Sequence, residues 1–107
     1  MSVSFEKKGI EFSVRIAELV KYLREDGKEF QLSDRLLSCG VTVGLLMRSG
    51  KYNEAAKLIT EADYIIEMAI VAGYLTSKQG VHIRADCENL LKQIKIKSEE
   101  NYYEQDN

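Results

Sequence analysis

Apolar residues recur along the chain at the three- and four-residue spacing of α-helices, in four segments separated by short polar or glycine-containing stretches. Short connections place consecutive helices side by side, so we predict an all-α protein, an antiparallel up-down-up-down four-helix bundle over residues 1–98. Residues 99–107 are polar and acidic, which predicts a disordered tail. The apolar stripes expected to form the core are Phe12, Ile16, Leu19, Val20 and Leu23 in the first helix, Leu58, Ile59, Ala62, Ile65, Ile66 and Ala69 in the third, and Ile83, Cys87, Leu90, Leu91 and Ile94 in the fourth.

The expected helix boundaries carry residues that commonly start or stop helices. Glycine stops a helix because it adopts positive φ easily, and short polar side chains cap the first turn. A hydroxyl residue followed three positions later by Gln has the form of a capping box. The boundary residues are Gly27 after the first helix, Ser33 as cap or first-turn residue of the second, Asn53 as N-cap of the third, Gly73 at its end, and Thr76 with Gln79 opening the fourth.

The second segment differs from the others because residues 36–47 contain no charged residue. Gly40, Val41 and Val43 lower its helix propensity, so a strand competes with a helix over these few positions. We favour the helix because the chain has no second strand to pair with it. Such a helix is apolar or small around its whole circumference, so we expect one side to pack in the bundle and another to contact a second chain. The predicted interface of this homo-oligomer is Leu36, Leu37, Gly40, Val43, Gly44 and Met47, with Gly40 and Gly44 forming a groove that another backbone can approach.

Composition and charge narrow the class of protein. The 107 residues are 45% hydrophobic and 30% charged with a net charge of -2, which is typical of a globular domain. No apolar stretch approaches the roughly 20 residues that cross a membrane, and the first residues lack the apolar core of a signal peptide. We therefore expect a cytoplasmic protein with no membrane partner. Cys39 and Cys87 are expected to be buried, inert thiols, with a cross-helix disulfide as the less favoured alternative.

The residue types that catalysis or a metal site would need do not occur in a recognisable arrangement. His82 is the single histidine, and its four-residue spacing from Asp86 fits a surface pair on one helix. Glu61, Asp63 and Glu67 fall on the charged face of the third helix and are expected to be solvated. The sequence has no phosphate-binding glycine loop, Rossmann glycine pattern or nucleophile motif. We therefore predict a non-enzymatic protein with no catalytic residues, no metal and no cofactor.

Basic residues on the fourth helix give the best candidate for nucleic-acid binding. Arg84, Lys92 and Lys95 lie within roughly 80° of one another around the helix. Glu88 is four residues from both Arg84 and Lys92, so ion pairs within the helix would neutralise much of this stripe. The two interpretations are a phosphate-binding face and a solvated face that pairs with itself.

Several short motifs, in the right order, resemble those of a known family. The clearest motif is Leu36-Leu37-Ser38-Cys39-Gly40-Val41-Thr42-Val43-Gly44, which is similar to the family's L-L-R-S-G-T-S-I-G. The others are Glu11-Phe12-Ser13-Val14-Arg15-Ile16 with Tyr22-Leu23, Glu61-Ala62 through Gly73-Tyr74-Leu75, and Ala85-Asp86-Cys87-Glu88-Asn89-Leu90. The family comprises small bacterial four-helix-bundle proteins encoded by intervening sequences of 23S rRNA genes, often labelled ribosomal proteins, and is related to accessory variability proteins of retroelements.

The resemblance implies an all-α bundle without enzymatic activity, often a ring-shaped homopentamer. In the retroelement-associated relatives it implies a nucleic-acid or reverse-transcriptase partner. The residue patterns and this resemblance together suggest two functions of different classes. The first is a self-associating scaffold or adaptor of unknown cellular role, and the second is an RNA-binding or other nucleic-acid-binding accessory protein.

Overall fold

A computed structural model of the chain describes residues 2–25 and 29–105, with side chains for 5–25 and 29–99. Four α-helices follow one another, and each packs against the next in an antiparallel bundle. The molecule is elongated, with extents of 55 × 20 × 18 Å. The all-α prediction is confirmed, and the strand considered for the second segment is not formed. The helices are α1 Ser2–Arg24, α2 Ser33–Arg48, α3 Tyr52–Val71 and α4 Ser77–Gln105.

The core lies along the bundle axis and is built from one stripe of each helix. The predicted stripes of α1, α3 and α4 supply most of it, although Leu19, Leu58 and Leu91 are only partly buried. From α2 the core takes Leu36, Cys39, Val43 and Met47. At one end of the bundle the ring of Phe5 packs against Tyr52, with ring centroids 5.0 Å apart. At the other end Phe30 packs against Tyr74 at the same separation.

The α3–α4 connection forms by the local chemistry that the sequence predicts. Gly73 has a φ of +87°, the left-handed conformation that glycine adopts without strain. Its N–H donates to the Ile70 carbonyl (3.1 Å) and the Tyr74 N–H to the Ala69 carbonyl (2.8 Å), the two bonds of a Schellman motif. The Thr76 and Gln79 side chains then bond each other's backbone N–H groups, which confirms the capping box.

The other helix boundaries agree with the prediction only in part. The N-cap of α3 is Lys51, and Asn53 lies inside the helix, where its side chain accepts a hydrogen bond from Ser98 on α4 (3.1 Å). Ser33 lies in the first turn of α2, one of the two positions predicted for it, and its hydroxyl donates to the Phe30 carbonyl. Gly27, the predicted stop of α1, lies outside the described residues. The backbone of α4 continues past the predicted boundary at residue 98, with no glycine or proline after Gly80 to interrupt it.

Candidate interaction surfaces

The contact between α1 and α2 is made by small residues that let the two backbones approach closely. A Cβ on Gly40 would lie 2.6 Å from Ile16 Cγ2, so only hydrogen fits there. The Ser13 hydroxyl donates to the Gly40 carbonyl across the contact (2.6 Å). Gly44 lies against Ser13 and Gly9 in the same way. The glycine groove predicted for a second chain therefore accepts α1 of the same chain.

This packing corrects most of the predicted interface on α2. Leu36, Gly40, Val43 and Met47 are buried inside the protomer, and Leu37 and Gly44 are partly covered. These side chains are enclosed because α1 and α3 flank α2 on two sides. The α2 apolar residues that face outward are the two that the prediction did not include, Val41 at 49% exposed and Leu45 at 56%.

Val41 and Leu45 belong to an exposed apolar area that extends onto α1, where Ile10 and Val14 are also about half exposed. Ile10 follows Gly9 and Val14 follows Ser13, and Val41 and Leu45 follow Gly40 and Gly44. In a helix, the residue after a contact position lies about 100° further round, which puts all four side chains on the outer side of the same helix pair. We call these four residues the α1–α2 patch. The uncharged segment of α2 indicated an exposed apolar surface, but only the burial of each residue in the fold shows which side chains face outward.

Ion pairs lie beyond the two ends of the α1–α2 patch. Glu6 pairs with Arg48 (3.8 Å) at one end, and Arg24 pairs with Asp34 at the other. All four side chains are substantially exposed, so each pair contributes little to stability. Their effect is to border an apolar surface with charge, which is how interaction sites on monomers are commonly organised.

A second exposed apolar group lies on α3. Tyr64 is 64% exposed, Met68 39% and Val71 83%. Their i, i+4, i+7 spacing places them within about 60° around the helix, opposite the buried face. We call these three residues the α3 stripe. The sequence analysis did not predict this stripe, because its residues fit the pattern of an ordinary amphipathic helix.

The three α3 carboxylates predicted to be solvated pair with neighbouring helices, although Glu67 stays about half exposed. Glu61 accepts hydrogen bonds from Arg35 Nε (2.6 Å) and from Cys39 Sγ (3.4 Å), both on α2. The Arg35 hydrogen bond, followed by that of Cys39, lowers the pKa of Glu61. Asp63 accepts two hydrogen bonds from Arg84 on α4, one from Nε (3.0 Å) and one from Nη2 (3.2 Å). These carboxylates join helices to one another.

The predicted nucleic-acid stripe is divided by these contacts. Arg84 is held by Asp63, with Glu67 at 3.4 Å as a further partner, so it does not pair with Glu88. Lys92 does pair with Glu88 (3.3 Å), as predicted, and both side chains are about 70% exposed. Lys95 makes no ion pair among the side chains that the structure describes. Two of the three predicted bases, Lys92 and Lys95, thus remain accessible.

The other candidate chemical groups are engaged in packing or in surface contacts. Asp86 accepts from Arg15 on α1 (2.7 Å), so the predicted pair with His82 does not form. Cys39 and Cys87 are both buried and free, as predicted. Burial is the main cause that raises the pKa of Cys39 to about 11 and that of Cys87 to about 12, so neither thiol ionises near neutral pH.

Further features of the described residues bear on ligands. Within the described ranges, no group of three or more His, Cys, Asp or Glu side chains is arranged to hold a metal ion. None of the helices in that part of the chain is both long and apolar enough to cross a membrane. An open groove between α1 and α4 is lined by Lys8, Arg15 and Gln93 among others, and Gln93 Oε1 is buried there without a hydrogen-bond partner among the described atoms.

Fold and surface together define a small four-helix-bundle protein whose distinctive features are exposed apolar surfaces. A solved structure from Bacteroides thetaiotaomicron, described as a protein with unknown function from the S23 ribosomal protein family, is similar to this chain. The two are 30% identical, the match covers 87% of this chain and 90% of that one, and the TM-score is 0.80. The chain therefore belongs to the S23 ribosomal protein family. Comparison with protein-family models gives no match, and neither does comparison with curated proteins.

Proposed function

We propose that this protein is a non-enzymatic scaffold or adaptor that acts as a homo-oligomer. The α1–α2 patch is the observation that carries the proposal. Four large aliphatic side chains, each about half exposed, stand side by side on two helices. An exposed apolar surface bordered by polar residues commonly marks an interaction site, because burying it is favourable.

The rigidity of the surface supports the same proposal. The α1–α2 patch rests on the glycine contact between the two helices, where the Ser13–Gly40 hydrogen bond and the buried Ile16 hold the backbones together. A preformed surface loses little conformational entropy when it binds. A ring of five subunits is the assembly favoured by the family resemblance, and we adopt it as the proposed form.

The oligomer is tested by native mass spectrometry of the protein purified at low salt. We expect the unaltered chain to appear as a closed oligomer, with five subunits as the favoured number. Leu45→Glu should convert it to monomer, because an unpaired carboxylate would be buried in the contact. Asn89→Glu is the matched control, since Asn89 is exposed on α4 and away from the patch. A protein that stays monomeric at micromolar concentration would overturn the proposal.

A second candidate function, binding of RNA or another nucleic acid, is supported by Lys92 and Lys95. Lys95 has no ion-pair partner among the described side chains, and the exposed Lys92–Glu88 pair is of the kind that contributes least. Both lysines can therefore bind phosphate with little loss of existing interactions. In a ring, several copies of this weak site would add by multivalency.

The nucleic-acid proposal is tested by measuring RNA affinity at several salt concentrations. The double variant Lys92→Glu with Lys95→Glu should abolish salt-sensitive binding, because fewer phosphate counterions are then released. Lys57→Glu with Lys51→Glu makes the same change of charge on residues near the start of α3 and serves as the control. RNA affinity that the Lys92 and Lys95 changes leave intact would reject this surface.

A further inference from the structure

The α3 stripe is exposed on a helix that does not take part in the α1–α2 patch. Val71 is among the most exposed large apolar residues of the molecule at 83%, and Tyr64 at 64% follows it. The described part of the protomer therefore presents two apolar surfaces of three or more residues, one across α1 and α2 and the other on α3. Val81 and Ile96 of α4 are also exposed, but they lie fifteen residues apart. A two-fold contact between two copies of one surface would leave the other surface open to water. A contact of one surface with the other covers both.

We propose that the α3 stripe of one copy packs on the α1–α2 patch of the next copy, in a head-to-tail contact. This inference rests on the proposed homo-oligomer and names its two contacting surfaces. The occupant of each surface is a second copy of this chain. Because the two surfaces differ, every subunit uses one of each, and the contact repeats around a ring.

The shapes of the two surfaces suit one another. The α3 stripe is a single row that includes Tyr64 and Met68, the two longest apolar side chains among the exposed residues that the structure describes. The α1–α2 patch lies over a helix pair brought close by Gly40 and Gly44, and its exposed side chains are aliphatic. A row of large side chains on one helix fits against the shallow depression between two others by the usual packing of ridges into grooves.

Some charges beside the two surfaces suit the same arrangement, although Lys57, which is exposed one heptad before Tyr64 on the face of the α3 stripe, does not. Lys7 and Lys21 lie on the outward side of α1 near the patch, and neither forms an ion pair among the described side chains. The acids Glu11 and Glu18 of the same helix instead line the grooves toward α4. Beside the α3 stripe, Glu67 is about half exposed and lies 3.4 Å from Arg84, which already has Asp63. Glu67 can therefore accept a lysine of the neighbouring copy.

The test uses two variants that each block one surface. Leu45→Glu blocks the α1–α2 patch, and Val71→Glu blocks the α3 stripe. Both positions are more than half exposed, so each variant should fold, which circular dichroism and thermal unfolding check. Each change alone should weaken self-association at least about a hundredfold, because it buries an unpaired carboxylate in the contact.

Mixing the two variants gives the decisive measurement. One variant retains an intact stripe and the other an intact patch, so the mixture should form a one-to-one heterodimer that grows no further. Native mass spectrometry resolves it when one variant is isotopically labelled. Asn89→Glu by itself, which should still assemble, controls for a general effect of added negative charge.

The possible results separate this inference from the proposal on which it rests. An oligomer that survives Val71→Glu, or a mixture without heterodimer, overturns the head-to-tail contact while self-association stands. A monomeric unaltered chain overturns the proposed oligomer and this contact with it. Loss of assembly in both variants together with the heterodimer supports the pairing of patch and stripe.

Discussion

The two sides of α1 meet their neighbours in different ways. Toward α2, glycines bring the backbones together, and the Ser13 hydroxyl reaches the Gly40 carbonyl at 2.6 Å. Toward α4, longer polar side chains span a wider gap: Arg15 bonds Asp86 at 2.7 Å, and Gln79 donates to the Tyr22 hydroxyl at 2.7 Å. Open grooves lie along the α4 side.

The difference shows how residue size decides what a helix contact can do. Small residues permit dense packing, so the α1–α2 contact holds a fixed outer surface, the patch proposed for self-association. Long charged side chains retain part of their hydration and tolerate rearrangement, so the α1–α4 contact contributes less to stability. Substitutions on the two sides of α1 should therefore lower the free energy of unfolding by different amounts.

Gly40→Ala should have the largest effect. The new Cβ would lie 2.6 Å from Ile16 Cγ2 and 2.7 Å from Ile16 Cβ, which is fixed to the backbone of α1. The helices must move apart, and we expect a loss of about 1 to 3 kcal/mol in the free energy of unfolding. Urea unfolding followed by circular dichroism measures it.

Gly80→Ala is the control for this prediction. Its Cβ would meet Ile70 Cδ1 at 2.8 Å, but that atom is the free end of a flexible side chain. Alanine has the higher helix propensity at both glycine positions, by about 1 kcal/mol, so a difference between the two variants reports the crowding. Equal costs for Gly40→Ala and Gly80→Ala would mean that backbone approach does not govern the α1–α2 contact.

Gln79→Ala should have an intermediate effect because Gln79 serves two contacts. Its Oε1 accepts from the Thr76 N–H, and its Nε2 donates to Tyr22 across to α1. Losing the cap and the bridge should cost about 1 kcal/mol in thermal or urea unfolding. Thr76→Val removes the hydroxyl that caps the Gln79 N–H and leaves the bridge to Tyr22, so it should cost nearly as much as Gln79→Ala if capping dominates. A Thr76→Val variant as stable as the unaltered chain would assign the effect to the bridge.

Much of the fold follows from the sequence because its signals are local. The three- and four-residue spacing gives the four helices, and the pair Thr76 and Gln79 specifies a hydrogen-bonded cap without tertiary information. Asn53 shows the limit of this approach. Its residue type suits an N-cap, but Lys51 takes that position and Asn53 instead bonds Ser98 of α4.

The candidate surface was harder to predict because it depends on which helix lies on which side. The uncharged run of α2 indicates that more than one face is apolar, but does not say which face the other helices of the same chain cover. Gly40 and Gly44 accept α1, which leaves Val41 and Leu45 outside. The charges behave similarly: Glu88 is equally spaced from Arg84 and Lys92, yet Asp63 on α3 takes Arg84.

Asp86→Asn should have the smallest effect and sharpens the comparison from the α4 side. The Arg15 side chain is 53% exposed and that of Asp86 26%, so the change should cost less than about 1 kcal/mol. High salt should reduce even this difference, because screening weakens the pair in the unaltered chain. Urea unfolding at low and high salt measures both effects. The control is Glu18→Gln, because Glu18 lies in the neighbouring groove and forms no ion pair among the described side chains. A cost as large as that of Gly40→Ala, unchanged by salt, would show that α4 is fixed to α1 as firmly as α2 is.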